Sequence, residues 1–168
     1  MGRIAVTDGM AVDAQNALHE MGHELVVEAV SESDLCGGYL RDFDAIIIRS
    51  NTKLHSEAIS ASVAKDGRLM VIARAGVGVD NIDIEAATEN GIMVVNAPRA
   101  STQSVVELTI GHLLASIRHL SRADAGLRAG KWEKKNLAGT ELSGKAIGFI
   151  GFGRIAQGVG RVATALGM

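Results

Sequence analysis

A chain of 168 residues is long enough for one complete domain and part of a second. Its net charge of −2 offers no broad basic surface for nucleic acid or an anionic membrane, and its single cysteine, Cys36, excludes an internal disulfide and a multi-cysteine zinc site. Hydrophobic residues make up 47% but aromatics only 3%, so Val, Ile, Leu, Ala and Met must fill the core. No apolar run approaches the ~18 residues needed to span a bilayer. The N-terminus enters a strand pattern at once, with no secretory leader, and the expected setting is a reducing cytoplasm.

In chain order, Ile4–Thr7 reads as a short strand and Ala11–Met21 as a helix closed by Gly22. Glu24–Ala29 reads as a second strand. Ser33–Leu40 reads as a short helix that Gly37-Gly38 weakens. Ala45–Arg49 is almost wholly apolar, which predicts a strand buried on both faces. Ser56–Ala64 follows as a helix with Ser56 as its N-cap. Then come a strand at Leu69–Arg74, a helix at Ile84–Asn90 and a strand at Ile92–Val95. Strands alternating with helices predict a doubly wound parallel sheet, ending near residue 97. The only proline, Pro98, reads as an interdomain joint. Beyond it, apolar spacing predicts one long helix from about Ser101 to Leu127, then a polar, mostly looped stretch over Arg128–Leu142.

Ala146–Ile150 reads as a buried strand that feeds a glycine turn. Gly151-Phe152-Gly153-Arg154-Ile155-Ala156 fits G-x-G-x-x-G/A, with alanine in the third place. The first glycine permits a tight turn, the second lets a pyrophosphate approach the backbone, and the third site keeps the helix close to the strand. A helix N-terminus there offers free N–H groups to phosphates. The plainer alternative is a glycine turn that only packs a helix. The residue that would separate NAD from NADP lies about 20 positions on, past Met168.

Arg74-Ala75-Gly76-Val77-Gly78-Val79-Asp80-Asn81 leaves a strand end where open α/β sheets bind ligands. Its closely spaced amides suit a carboxylate. Arg49-Ser50-Asn51-Thr52-Lys53 leaves another strand in the same sense. In a flavodoxin-like strand order the two loops are neighbours, and Arg49, Lys53 and Arg74 would ring one anion-binding mouth. The alternative is that they are ordinary surface charges.

These segments, with Asn96-Ala97-Pro98, Ser101–Glu107, Trp132 and Glu141–Lys145, occur together and in order. The whole chain resembles the N-terminal half of the D-isomer-specific 2-hydroxyacid dehydrogenases. Ile48–Lys53 and Arg74–Asn81 carry the likeness towards the branch that oxidises D-3-phosphoglycerate at the start of phosphorylated serine biosynthesis.

The resemblance implies a flavodoxin-like substrate lobe over residues 1–98. It also implies a crossover helix and the start of a Rossmann NAD lobe over 99–168. Arg49, Ser50, Lys53 and Arg74 would favour the substrate phosphate, and Gly76 and Val77 its carboxylate. Gly151, Gly153, Arg154 and Ile155 would meet the pyrophosphate of NAD, with NADP left open. The crossover helix would contribute to a homodimer face. Ala100-Ser101 departs from the family pattern.

The family's acid/base histidine, its carboxylate partner and the substrate-orienting arginine are expected outside these residues. None of His19, His23, His55, His112 and His119 stands in a matching motif. Cys36 and Glu107 read as packing residues, and Arg128, Lys131, Lys134 and Lys135 as a solvated face. Two alternatives stay open: another 2-oxo acid such as glyoxylate or hydroxypyruvate as substrate, and a non-catalytic module that holds an anion or a partner.

Overall fold

A computed structural model describes residues Met1 to Met168. Four-residue apolar segments are stable as strands only beside other strands, and five of them pair here: β1 (Arg3–Val6), β2 (Glu24–Val27), β3 (Ala45–Ile48), β4 (Val71–Arg74) and β5 (Met93–Asn96). All pairs are parallel, in the order β2-β1-β3-β4-β5. The alternating pattern predicts the parallel, doubly wound sheet, and this flavodoxin-like order is the one the family resemblance implies. The chain forms two compact units, Met1–Ala100 and Ser101–Met168. No helix is long and apolar enough to cross a membrane.

Register places Ala5, Ile46, Ile72 and Val94 in one row across the first unit's sheet. They meet Leu35 of α2 (Glu32–Cys36), Ala58 and Ile59 of α3 (Ser56–Val63), and Ala86 and Ala87 of α4 (Ile84–Glu89). Three crossovers run in one direction along the sheet, so right-handed connections put these three helices on one face. Only α1 (Val12–Glu20) belongs to the other face, and it has no buried residue. The expectation that β3 is buried on both faces is therefore corrected. Ile46 and Ile48 are fully buried, Ala45 and Ile47 only half so, and Met93 on β5 is 63% exposed.

Caps and breaks refine three more elements. The helix expected over Ser33–Leu40 splits, because Gly38 takes a left-handed conformation (φ +92°) between α2 and a 3₁₀ turn at Tyr39–Asp42. Ser31 caps α2 and Asp83 caps α4, each accepting an N–H with its side chain. Ser56 is the first helical residue of α3, and its N-cap is His55, which makes no side-chain cap bond.

In the second unit the long helix expected from Ser101 to Leu127 is two helices, α5 (Thr102–Ile117) and α6 (Leu120–Arg128). His119 sits between them at φ +54°, which no helix continues through. Gly158 of α7 (Arg154–Ala165) lies against α5, where an added Cβ would come within 2.5 Å of Val106 Cγ2.

Ala146–Ile150 forms no strand, contrary to the sequence pattern, and Ile150 is fully exposed at 109%. No other strand lies beside it in the second unit, so its backbone has no ladder to join.

The first unit's stability rests on the α2–α3–α4 face. Ile72→Ala, at a site with no exposure, is expected to lower the unfolding free energy by about 2–5 kcal/mol. Urea denaturation followed by circular dichroism measures the loss.

Candidate functional site

Parallel pairing brings the carboxyl ends of β1, β3 and β4 to one edge of the sheet. Ile48 is in register with Arg74, so the loops that begin at Arg49 and Ala75 leave from adjacent positions. Ala75 N–H donates to the Ile48 carbonyl (2.8 Å), extending that pairing by one residue. Arg49 and Arg74 thus stand at neighbouring strand ends, and neither forms an ion pair.

The Arg74 side chain folds over Gly76, occupying the space an added Cβ would take. Its Nε is buried without a hydrogen-bond partner. A buried guanidinium N–H with no acceptor is costly, and an anionic oxygen would satisfy it. Gly76 differs from expectation. Its N–H donates to the Arg74 carbonyl (2.8 Å) and is not free for a ligand. The N–H groups of Val77 and Gly78 make no hydrogen bond within the chain, so the free amides lie one residue further on. Ser50 is exposed at the turn of the first loop. Lys53 lines a hollow of about 330 Å³ with Thr7, Val30, Glu32 and Thr52, which Arg74 does not reach. Of the three expected cations, Arg49 and Arg74 leave adjacent strand ends, while Lys53 lines a hollow with residues that follow β1 and β2.

Sequence reasoning missed the residues beneath this mouth. Asp8, two residues past the end of β1, accepts the N–H of Arg49 (2.7 Å), the N–H of Thr52 (3.1 Å) and the Thr52 hydroxyl (2.7 Å). Asn81 donates to the carbonyls of Arg49 (2.8 Å) and Thr52 (2.7 Å). The signal that could have found Asp8 is its place, since a carboxylate two residues past a buried strand lies at the edge where neighbouring strands end. Partial burial works to raise the Asp8 pKa, but bonds from Thr52, Arg49 and Asn51 outweigh it and hold the carboxyl below its usual range. Cys36 packs against the core. Burial, with Glu57 and Glu32 nearby, pushes its thiol pKa up, which suits a packing residue rather than a nucleophile. No cluster of His, Cys, Asp and Glu suited to a metal is present.

In the second unit the glycine turn has the conformation its spacing predicts. Gly151 is left-handed (φ +84°), and Gly153 is the N-cap of the twelve-residue α7 with no side-chain bond. The first N–H groups of α7, at Arg154 and Ile155, therefore lack intrahelical partners. An added Cβ at Gly153 would meet nothing within 4 Å. An uncapped helix start with open space before it fits a dinucleotide pyrophosphate.

The chain matches, over residues 4–165, the family described as D-isomer specific 2-hydroxyacid dehydrogenase, catalytic domain. It belongs to that family. Over its full length it is 47% identical to D-3-phosphoglycerate dehydrogenase of Methanocaldococcus jannaschii, covering 31% of that protein. It is 43% identical to hydroxypyruvate reductase of Thermotoga maritima, with 99% of the chain and 53% of the relative covered. Among solved structures, NAD+-bound 3-phosphoglycerate dehydrogenase of Entamoeba histolytica superposes with a TM-score of 0.73 at 31% identity, covering 99% of this chain and 52% of that one. The chain thus spans about a third to a half of the length of the relatives it matches.

The depressed Asp8 pKa gives a pH signature. A carboxyl whose folded pKa lies below its unfolded value contributes stability above ~pH 4 and loses it as pH falls through the folded value. Asp8→Asn is expected to flatten the acid limb below ~pH 4. Urea midpoints of both proteins across that range check it.

Proposed function

We propose that these residues form the substrate lobe and the opening of the nucleotide lobe of an NAD-dependent dehydrogenase for D-3-phosphoglycerate, acting at the entry to phosphorylated serine biosynthesis. The observation that carries the reading is the pairing of Arg49 and Arg74 at adjacent strand ends, with the Arg74 Nε buried and unpartnered. Arg74 folds over Gly76 next to the free amides of Val77 and Gly78, and Arg49 starts from the adjacent strand end, an arrangement that suits a ligand with a phosphate at one end and a carboxylate at the other. The relative from Methanocaldococcus supports that substrate at 47% identity.

In this reading residues 1–98 bind the acid. Residues 99–168 supply the crossover helix and the first turn of the cofactor lobe. Gly151 and Gly153 let the pyrophosphate approach, and the N–H groups of Arg154 and Ile155 hold it. The NAD+ of the Entamoeba structure supports NAD over NADP. The nicotinamide supplies the hydride chemistry when bound, while these residues bind and orient. The exposed Trp132 (78%) and apolar Leu120 and Leu127 of α6 support a homodimer face in the second unit.

A second reading has a specific support, the 43% identity to a hydroxypyruvate reductase, and would make the substrate an unphosphorylated 2-oxo acid. One variant separates them. In the full-length protein Arg74→Ala should raise KM for D-3-phosphoglycerate roughly tenfold or more while changing KM for hydroxypyruvate little, since a charge-assisted bond is worth about 1.5–3 kcal/mol. Equal changes for both acids favour the second reading.

The cofactor half of the proposal has its own test. Gly153→Val fills the open space before α7 and should weaken NADH binding at least tenfold in a fluorescence titration, with unchanged far-ultraviolet circular dichroism. Unchanged affinity would make the turn purely structural.

A further inference from the structure

We propose that Asp8, Thr52 and Asn81 are positioning residues that clamp the Arg49–Thr52 loop in its anion-receiving shape; the inference deepens the substrate reading above and rests on it. The loop is gripped at the same two residues from two directions. Asp8 takes the N–H groups of Arg49 and Thr52, and Asn81 takes their carbonyls. Both ends of the four-residue turn are thereby fixed, and Ser50 and Asn51 between them stay exposed.

The clamp is buried and chemically directed. Asn81 is only 8% exposed. Its amide must point its nitrogen at the loop, because both partners there are carbonyl oxygens. That orientation leaves Asn81 Oδ1 buried with no donor, a cost an apolar residue would avoid. Thr52 spends its hydroxyl proton on Asp8, so the Thr7 hydroxyl is the donor in the 2.7 Å bond between the two threonines. The polar chain Thr7–Thr52–Asp8 thus ties the end of β1 to the loop after β3.

Asn81 also closes the Val77–Asn81 segment, whose first residues offer the free amides, and its carbonyl accepts the Leu54 N–H (2.9 Å). One side chain therefore sets the spacing between the two loops of the anion mouth. A substrate anchored at both ends feels that spacing directly, whereas the glycine turn of the second unit does not depend on it.

The test uses the full-length protein and three variants. Asn81→Asp keeps the size of the side chain but faces two carbonyls with a carboxylate. Thr52→Val removes the hydroxyl and no charge, and Thr52→Ser restores it. Asn81→Asp and Thr52→Val should each raise KM for D-3-phosphoglycerate about tenfold, leave KM for NAD+ within about twofold, and speed hydrogen exchange of the Arg49 and Thr52 amides. Thr52→Ser should return all three readouts towards the parent.

Unchanged KM and unchanged exchange in Thr52→Val would overturn the clamp, as would a parallel rise in both KM values. If Asn81→Asp does not fold, the two Thr52 variants decide alone. Should the parent protein turn over only an unphosphorylated acid, its KM serves as the readout. A clamp effect on that acid upholds the positioning role while removing the phosphate reading.

Discussion

Parallel pairing of β3 between β1 and β4 is the constraint on which the first unit depends. It fixes Ile46 against Ala5 and Ile72, which closes the core beneath α2, α3 and α4. The same register carries the chain out of three strands at one edge, delivering Asp8, Arg49 and Arg74 to adjacent places. A slip of one residue would turn Ile46 to the thinly covered face and separate Arg74 from the Arg49 loop. Packing and site geometry therefore have a common origin, and the apolar side chains that hold the register have no chemistry of their own.

Much of this was legible because it follows from local pattern. The alternation of short apolar runs with helical spacing is dictated by a parallel sheet's need for crossovers, whereas the strand order came only from the family resemblance. The positions of Arg49 and Arg74 were readable because a charged residue at the end of an apolar run marks a strand's exit. What was not readable depended on partners distant in sequence. Asp8 meets Thr52 across 44 positions, and Asn81 meets Arg49 across 32. The place of Asp8 just past a strand marks it as a residue at the sheet edge, but nothing nearby names the loop it holds. Nor does sequence tell that the Gly76 N–H turns back to Arg74 while Val77 and Gly78 stay free.

The second unit shows the opposite division. The glycine turn and α7 formed where the spacing placed them, since Gly151 and an uncapped Gly153 need only local backbone freedom. The apolar stretch before them did not become a strand, because a strand is a relation between segments and no partner lies beside it. His119 marks the same limit. The apolar spacing ran on through residue 120, but one left-handed residue ended α5 and set α6 as a separate helix. Periodicity reports which side of a helix is apolar and is silent about where the axis breaks.

A carboxylate beneath two arginine-bearing strand ends looks self-defeating, and the geometry explains how it is tolerated. Asp8 directs its oxygens at the N–H groups of Arg49 and Thr52 and at the Thr52 hydroxyl. Its charge is thus absorbed by donors on the inner side of the loop, the same bonds that hold its pKa low. The Arg49 guanidinium, in contrast, forms no ion pair. Had Asp8 paired with that guanidinium, its charge would have been neutralised within the chain. By binding the backbone of Arg49, Asp8 fixes where that arginine starts and leaves its charge unpaired. The loop's shape and the loop's charge are in this way assigned to different groups, which lets a rigid turn remain an electropositive one.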